Sequence, residues 1–533
     1  MPNLWLFSGT TAEGKAEKRE SLSFGYGVRF SFTGHDMHGL ALGPDGRLYF
    51  SFGDRGAHVT TKEGKTLAFP DEGAIFRCEP DGSHLEVIMH GLRNPQELAF
   101  DNYGNLFTGD NDSDQGDRER WVYVAKGADA GWRVGWQHHP IGKEQNPWLA
   151  EKMWQPRTAG QPAYILPPVA NIPDGPSGLA YYPGTGLPAK FEGSFFLCGF
   201  KGSSARSAVS SWKVKPKGAS FELVNEEVFI GDAQATDICF GPDSKIYFSE
   251  WGEGWEGTGR GRLFTMWDPE TIKDPQVAEV KKLLNDGFAQ RSTEELGKLL
   301  AYKDQRIRLE AQWALAKKHD GRPVLLNAAL KNSDQLARLH GIWGTGHAAR
   351  LAEYQLAGGG ARALAPLVPL LSDKDEEVRA QAAKVLGDGR VDQAYSALVA
   401  AVKDPSPRVR FYATQALAEF GKREAVEPVL AMLRENNDQD AYLRHAGVMV
   451  LAAAKDQAAL QAAAKDQSPA IRMASLLAMR QLGSPSIAEF LQDKDPALVL
   501  EAARAINDAP INAALPQLAA LLEKPVDSQP LML

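Results

Sequence analysis

Leu42-Gly43-Pro44-Asp45-Gly46-Arg47-Leu48-Tyr49-Phe50 is the stretch whose reading decides the fold. An apolar residue enters a Pro-Asp-Gly turn and an alternating strand leaves it. Proline presets the backbone of such a turn, and glycine supplies the left-handed residue. The element returns as Phe100-Asp101-Asn102-Tyr103-Gly104-Asn105-Leu106-Phe107 and as Phe240-Gly241-Pro242-Asp243-Ser244-Lys245-Ile246-Tyr247-Phe248. A weaker copy runs from Tyr182-Pro183-Gly184 to Phe195-Phe196-Leu197. One strand-turn-strand unit, repeated in a stretch rich in Gly, Pro and aromatics, predicts a β-propeller over residues 1–268, with some four blades visible. Propellers close on themselves to protect edge strands, so an N-terminus that falls inside a blade is expected to be truncated.

The period changes after this half. From about Asp274 alanine and leucine dominate, and a unit recurs in which Asp precedes an aliphatic-Arg pair and an Ala-rich helix. It appears at Asp304 with Ile307-Arg308, Asp375 with Val378-Arg379, Asp404 with Val409-Arg410, Asp440 with Leu443-Arg444 and Asp466 with Ile471-Arg472. The last four arginines stand 31, 34 and 28 residues apart, which predicts HEAT-type helical hairpins over 274–523. Asp is expected to cap the second helix of each pair, and Arg to tie neighbouring repeats. Gly358-Gly359-Gly360 reads as a loop between repeats, and residues 524–533 as a frayed tail.

With 533 residues, 43% hydrophobic and 24% charged, the chain is too long for one ordinary core and reads as a multidomain globular protein. A formal charge of -8 with no long basic run argues against nucleic acid and against an anionic membrane surface. No apolar run reaches the roughly 18–20 residues of a membrane helix. Cys78, Cys198 and Cys239 match no metal or haem spacing and are expected to be three small buried thiols.

Four constellations carry chemistry. Gly34-His35-Asp36-Met37-His38 holds two histidines three apart, suited to a metal or a general base; the plainer reading is a polar loop. Arg93-Asn94 follows a strand, and its guanidinium suits a carboxylate or quinone oxygen or, equally, an ion pair between blades. Asp110, Asp112, Asp114 and Asp117 alternate as oxygen ligands of Ca²⁺ do, although Gln115 stands where an EF-hand loop needs Gly. Trp132, Trp136, Trp251 and Trp255 can stack on a sugar or pack between blades, and Lys201 follows an apolar strand.

At these residues the chain resembles a known family. Phe32-Thr33-Gly34-His35-Asp36-Met37-His38-Gly39-Leu40, Asn105-Leu106-Phe107-Thr108-Gly109-Asp110-Asn111 and Gly175-Pro176-Ser177-Gly178-Leu179-Ala180-Tyr181-Tyr182-Pro183-Gly184-Thr185-Gly186 are similar to the PQQ-dependent sugar dehydrogenases, six-bladed propellers that include soluble glucose and aldose dehydrogenases. They are closest to a bacterial subgroup often labelled a membrane-bound dehydrogenase domain, in which the propeller precedes HEAT repeats and commonly a c-type haem domain. The resemblance implies that His35 is the catalytic base, with Arg93 acting beside it. It further implies that Arg93 and Asn94 contact the quinone carbonyls and that Lys201 binds the cofactor. Backbone carbonyls of Asn111 and Asp112 would hold Ca²⁺, with Asp110 as a further candidate ligand.

Where the family sets two arginines against PQQ carboxylates, this chain has Gln234-Ala235-Thr236-Asp237. No haem domain follows, so electrons would leave to a separate acceptor such as a c-type cytochrome. The resemblance therefore implies a PQQ- and Ca²⁺-dependent dehydrogenase of a sugar or polyol, periplasmic in its full-length parent, with the solenoid docking a partner protein. A non-catalytic glycan- or protein-binding module is the alternative. A third reading is a Ca²⁺-dependent lactonase using Asp110, Asn111 and Asp237.

Overall fold

The computed structural model describes residues 3–11, 13–29, 34–137, 146–256, 259–351, 359–523 and 531. Phe32, Thr33, Gly358 and nearly all of the expected tail lie outside the described residues.

The N-terminal half is built of small sheets, four of which follow one another along the chain. Sheet I orders Met37–Leu42, Leu48–Phe52, Gly73–Cys78 and Glu86–Leu92 as an antiparallel meander, with Ala128–Asp129 added in parallel at its edge. Sheet II contains Ala99–Phe100, Leu106–Asp110, Arg120–Tyr123 and Ala170–Asn171. Sheet III contains Pro176–Tyr181, Ser194–Gly199, Ala208–Lys217 and Ser220–Gly231. Sheet IV has Ala235–Phe240, Ile246–Glu250 and Arg262–Met266. Two hairpins accompany them, Asn3–Thr10 with Ala16–Phe24 and Ala57–Thr60 with Thr66–Phe69. The first strand of sheet III lies against the first strands of sheets II and IV. Between sheets II and III, Trp121 stacks on Phe107 at 5.4 Å and meets Trp212 edge-on at 4.9 Å, all three rings being buried.

The repeated turns are the ones read from the sequence. Gly43 and Arg47 close one turn by an N–H to C=O bond of 2.8 Å, Asp101 and Asn105 another at 3.0 Å, and Gly241 and Lys245 a third at 2.9 Å. Gly46 and Gly104 take φ of 77° and 72°, and Ser244 takes 58° at the equivalent place. Antiparallel order puts these turns at one end of the sheets. The segments holding His35, Arg93, Asn111, Lys201, Gln234 and Trp251 fall at the opposite end.

The C-terminal half is a stack of helical pairs. Asp304, Asp375 and Asp440 accept backbone N–H bonds at the starts of Gln305–Lys317, Glu376–Asp388 and Ala441–Ala454. Asp404 and Asp466 depart from the expected capping role. Pro407 and Pro469 begin their helices after Ser406 and Ser468, and each Asp instead receives an arginine from the preceding repeat. Arg379 reaches Asp404 through two bonds of 2.8 Å, and Arg434 reaches Asp466 at 2.6 Å. Arg472 grips Asp493 at 2.8 and 3.0 Å. No helix among the described residues is long and apolar enough to cross a membrane.

The second helices of these pairs face the β half and hold its repeated turns. Gln312 donates to the carbonyl of Pro44 at 2.5 Å, Arg308 to Asn102 at 2.6 Å and Arg306 to the carbonyl of Gly241 at 2.6 Å. Gln381 donates to the carbonyl of Tyr103 at 3.0 Å, and Trp343 lies over Gly104. Arg408, buried, bonds Glu377 at 2.9 and 3.0 Å and Asn105 at 3.0 Å. One face of the solenoid is thus occupied by the chain's own β half, which leaves the outer helices for any partner. The cysteines are free thiols, but Cys239 is exposed where all three were expected to be buried.

Candidate active site

His35 precedes the first strand of sheet I and is buried. Its Nδ1 lies 2.8 Å from Oδ1 of Asp54, whose Oδ2 accepts the indole N–H of Trp132 at 3.0 Å. An N–H on Nδ1 donating to the carboxylate makes Nε2 the basic atom of the ring. Asp54 is itself anchored, its backbone N–H donating to the carbonyl of Arg93 at 2.7 Å. Gly53 permits a close approach here: a Cβ at this position would fall 2.6 Å from Asn94 Oδ1 and 2.9 Å from the His35 Cα. Neither Asp54 nor Trp132 has a spacing from His35 that sequence periodicity would flag, so this support was missed.

The paired histidines separate. His38 turns its Nε2 to the carbonyl of Gly34 at 2.6 Å, while His35 turns to Asp54.

Asp110 is fully buried and organises the Arg93-Asn94 pair. Its Oδ1 accepts the backbone N–H groups of Arg93 and Asn94 at 3.0 and 2.8 Å, and its Oδ2 accepts from Nε of Arg120 at 3.1 Å and also from Nη2. Arg120 continues to the carbonyl of Ala130 at 2.7 Å and lies over Trp148. The Arg93 guanidinium, also buried, bonds Asp114 at 2.6 Å and Gln137 at 3.3 Å. The amide oxygen of Asn94 is buried with no hydrogen-bond partner among the described residues.

Asn111 and Asp112 follow as half-buried residues. Burial, with Asp117 and Asp114 beside it, pushes the Asp112 carboxyl up to about 7. Burial and a hydrogen bond shared with Asp174, with Asp112 adding to both, push Glu119 up to about 9. Asp117 is already satisfied by Ser113 and by the indole N–H of Trp148 at 2.6 Å. Carboxylates that hold protons this strongly are disfavoured as anions, and a hard cation would reverse that.

Lys201 lies at the same end, and its ammonium has no ion pair or hydrogen bond among the described residues. Gln234 is buried under the Trp251–Gly254 loop and donates to the carbonyl of Gly254 at 2.9 Å; Thr236 pairs with Ser249 at 2.8 Å. Asp237 is exposed on sheet IV and raises the carboxyl of Glu97, already lifted by burial, to about 8. Trp132 packs edge-on against Trp148 at 5.2 Å inside the protein, whereas Trp251 and Trp255 are exposed.

Glu72, His90 and Asp129 also converge, with ligand atoms within 4.8 Å of one another. Arg133 fills that cluster, bonding Glu72 at 2.7 Å and Asp129 at 2.7 Å. Burial disfavours the charged His90, but Asp129 and Glu72 outweigh it and hold its pKa above the ordinary value. This is an ion-pair cluster with its own cation.

Residues 1–252 match a family described as Domain of unknown function (DUF7133), and residues 364–452 match HEAT repeats. Among solved structures the chain is similar to a glucose dehydrogenase at 17% identity, covering 48% of this chain and 69% of that one, with a TM-score of 0.32. It is similar to the PQQ-bound form of an aldose sugar dehydrogenase from Streptomyces coelicolor at 22% identity, covering 49% and 70%, with a TM-score of 0.31. An engineered protein is similar at 19% identity, covering 42% and 97%, with a TM-score of 0.25. No curated protein matches the sequence.

Proposed function

We propose that the four sheets are blades of a β-propeller of the six-bladed type, and that their upper end oxidises a sugar or related alcohol. The observation that carries this reading is the buried His35–Asp54 pair set beside Arg93-Asn94. A histidine held in one tautomer by a buried carboxylate is the arrangement of a general base. Nε2 of His35 would take the hydroxyl proton of the substrate, and Asp54 would stabilise the imidazolium that results.

Several residues fit PQQ and a hard cation. Lys201 offers an ammonium with no ion pair or hydrogen bond among the described residues, and the buried side-chain oxygen of Asn94 has no hydrogen-bond partner among them. The carboxyls of Asp112 and Glu119, raised by burial and by neighbouring carboxylates, would ionise around a Ca²⁺ held near the Asn111-Asp112 carbonyls. When bound, the quinone would supply the two-electron acceptor and the cation would polarise it. Arg93 would position rather than bear the full charge of a cofactor, since Asp114 and Gln137 already engage it. A separate acceptor such as a c-type cytochrome would then take the electrons, in the periplasm.

A second reading, a non-catalytic glycan-binding module, is favoured by Gln234 and Thr236, which give hydrogen bonds where arginines would give charge. The two separate in a dye-linked assay of the full chain with PQQ, Ca²⁺ and aldoses. Turnover that is lost in His35→Ala supports the dehydrogenase; full activity in that variant overturns the assignment.

A further inference from the structure

Residues 146–165 join no sheet, yet the side chains they carry reach the His35–Asp54 pair. Trp148 donates its indole N–H to Asp117 at 2.6 Å and packs edge-on against Trp132 at 5.2 Å. Met153 and Ile165 complete the apolar cluster around those two rings, and all four side chains are buried. The indole N–H of Trp132 in turn donates to Asp54 at 3.0 Å, and Asp54 holds His35 at 2.8 Å. Asn146 donates to Gln115 at 2.8 Å and caps the helical turn Pro147–Ala150 that carries Trp148.

This segment is anchored on its other side by the C-terminal end of the solenoid. Irregular backbone has no hydrogen-bond ladder of its own, so its position is set by the groups that bind it. Glu501, 2% exposed and on the helix Pro496–Asp508, accepts the backbone N–H groups of Ala163 and Tyr164 at 3.0 and 3.2 Å. Arg504, on the same helix, bonds Glu501 at 2.5 Å and also bonds Glu151, which stands three positions after Trp148. The side chains of Arg504 and Glu151 are only 10% and 11% exposed, so solvent and salt screen their attraction little. Arg480 lies over the Tyr164 ring at 4.1 Å, and Arg157 bonds Asp438 at 2.9 Å.

We propose that Arg504 and Glu501 are positioning residues of the His35 site, acting through Glu151 and the Trp148–Trp132 contact to keep Asp54 against the imidazole. This rests on the reading of His35 as a general base, and it makes the last solenoid repeat a part of the site. Without the Arg504 guanidinium, Glu151 and Glu501 are left as like charges inside the protein, and the segment carrying Trp148 loses its anchor.

The signal to follow is the Nδ1–H proton of His35 in the cofactor-free full chain, observed by NMR with isotope-labelled histidine and identified by its loss in His35→Gln. A proton in a buried imidazole–carboxylate bond resonates far downfield, and its shift follows the length of that bond. Arg504→Gln and Glu501→Gln are expected to move or abolish the signal while circular dichroism reports a folded chain. Arg504→Lys, which keeps a cation beside the carboxylates, should restore most of it. Arg434→Gln breaks the ion pair that Arg434 makes with Asp466 at 2.6 Å elsewhere in the solenoid, and should leave the signal unchanged. An unchanged signal in folded Arg504→Gln, an equal shift in Arg434→Gln, or no such signal in the parent overturns the proposal. Should Arg504→Gln not fold, Glu151→Gln, which removes one charge and keeps the shape, carries the same two outcomes. In a parent that turns over, Arg504→Gln should lower kcat by about ten-fold or more with KM little changed, and an unchanged kcat overturns the proposal equally. The proton signal needs neither cofactor nor turnover, so a parent without activity counts against the dehydrogenase reading alone.

Discussion

Asp54 holds His35 in a buried pair, carboxylate oxygen to Nδ1 at 2.8 Å, across 19 residues of sequence. The carboxylate is doubly committed, since its other oxygen takes the Trp132 indole N–H at 3.0 Å. Replacing Asp54 with Asn keeps the shape but lets an amide N–H compete for Nδ1 and favour the wrong tautomer. The catalytic reading predicts that Asp54→Asn lowers kcat by about 10²–10⁴-fold with a smaller effect on KM. Steady-state kinetics of dye reduction checks this, and an unchanged kcat contradicts the role.

Asp110 predicts a stability effect independent of activity. Ala at this position leaves Arg120 buried without its carboxylate and the N–H groups of Arg93 and Asn94 without their acceptor. Breaking such a pair from one side costs about 3–5 kcal/mol. Urea unfolding of Asp110→Ala should show a loss of that order.

Arg408 joins the halves. With Glu377 and Asn105 as buried partners, Arg408→Ala should cost about 3–5 kcal/mol. Replacing both Arg408 and Glu377 with apolar residues of similar size should cost much less than the single change. A double-mutant cycle read by urea unfolding measures the difference.

Acid should loosen the same interface. His347, its pKa lowered to about 4 by burial and Arg350, packs on Gly46. His445, lowered to about 4 by burial and Arg444, donates to the carbonyl of Lys126 at 2.8 Å. Unfolded histidine titrates near 6.5. Between pH 6.5 and 4 the unfolded chain therefore binds more protons, and stability falls as pH falls through that window, by roughly 3 kcal/mol for the buried His347 and by less for the half-buried His445. The melting temperature followed from pH 7 to 4 should drop, and His445→Gln should flatten part of the slope.

Ca²⁺ should displace protons. The folded carboxyls of Asp112 and Glu119 titrate near 7 and 9, above the unfolded values, so in the absence of a cation their contribution to stability fades as pH rises through that range. A cation bound there favours the ionised forms. Calcium titration at pH 8 in buffers of different ionisation enthalpy should show net proton release, most of it from Glu119, which Glu119→Gln reduces.

The sheets and the helical pairs were legible because each follows a local pattern. Gly43–Arg47 closes as its Pro-Asp-Gly turn requires, Gly241–Lys245 closes the same way with Ser244 in the glycine's place, and Arg379 and Arg472 link repeats as their spacing implied. Asp404 and Asp466 were misread because a proline at the first helical position moves the capping position to the preceding serine. The support for His35 was not legible, since Asp54 and Trp132 reach it through tertiary folding alone. Nor was the docking of the turns on the solenoid, where Gln312 finds Pro44 across 268 residues.

The most direct test of the proposed function is a thermal-shift titration of the full chain with PQQ, with and without Ca²⁺. Ligand at about 100 times its dissociation constant stabilises the folded state by roughly 2.7 kcal/mol. The account predicts a rise in melting temperature with PQQ that requires Ca²⁺ and is diminished in Lys201→Ala. A folded protein whose melting temperature does not move with PQQ at any Ca²⁺ concentration would contradict it.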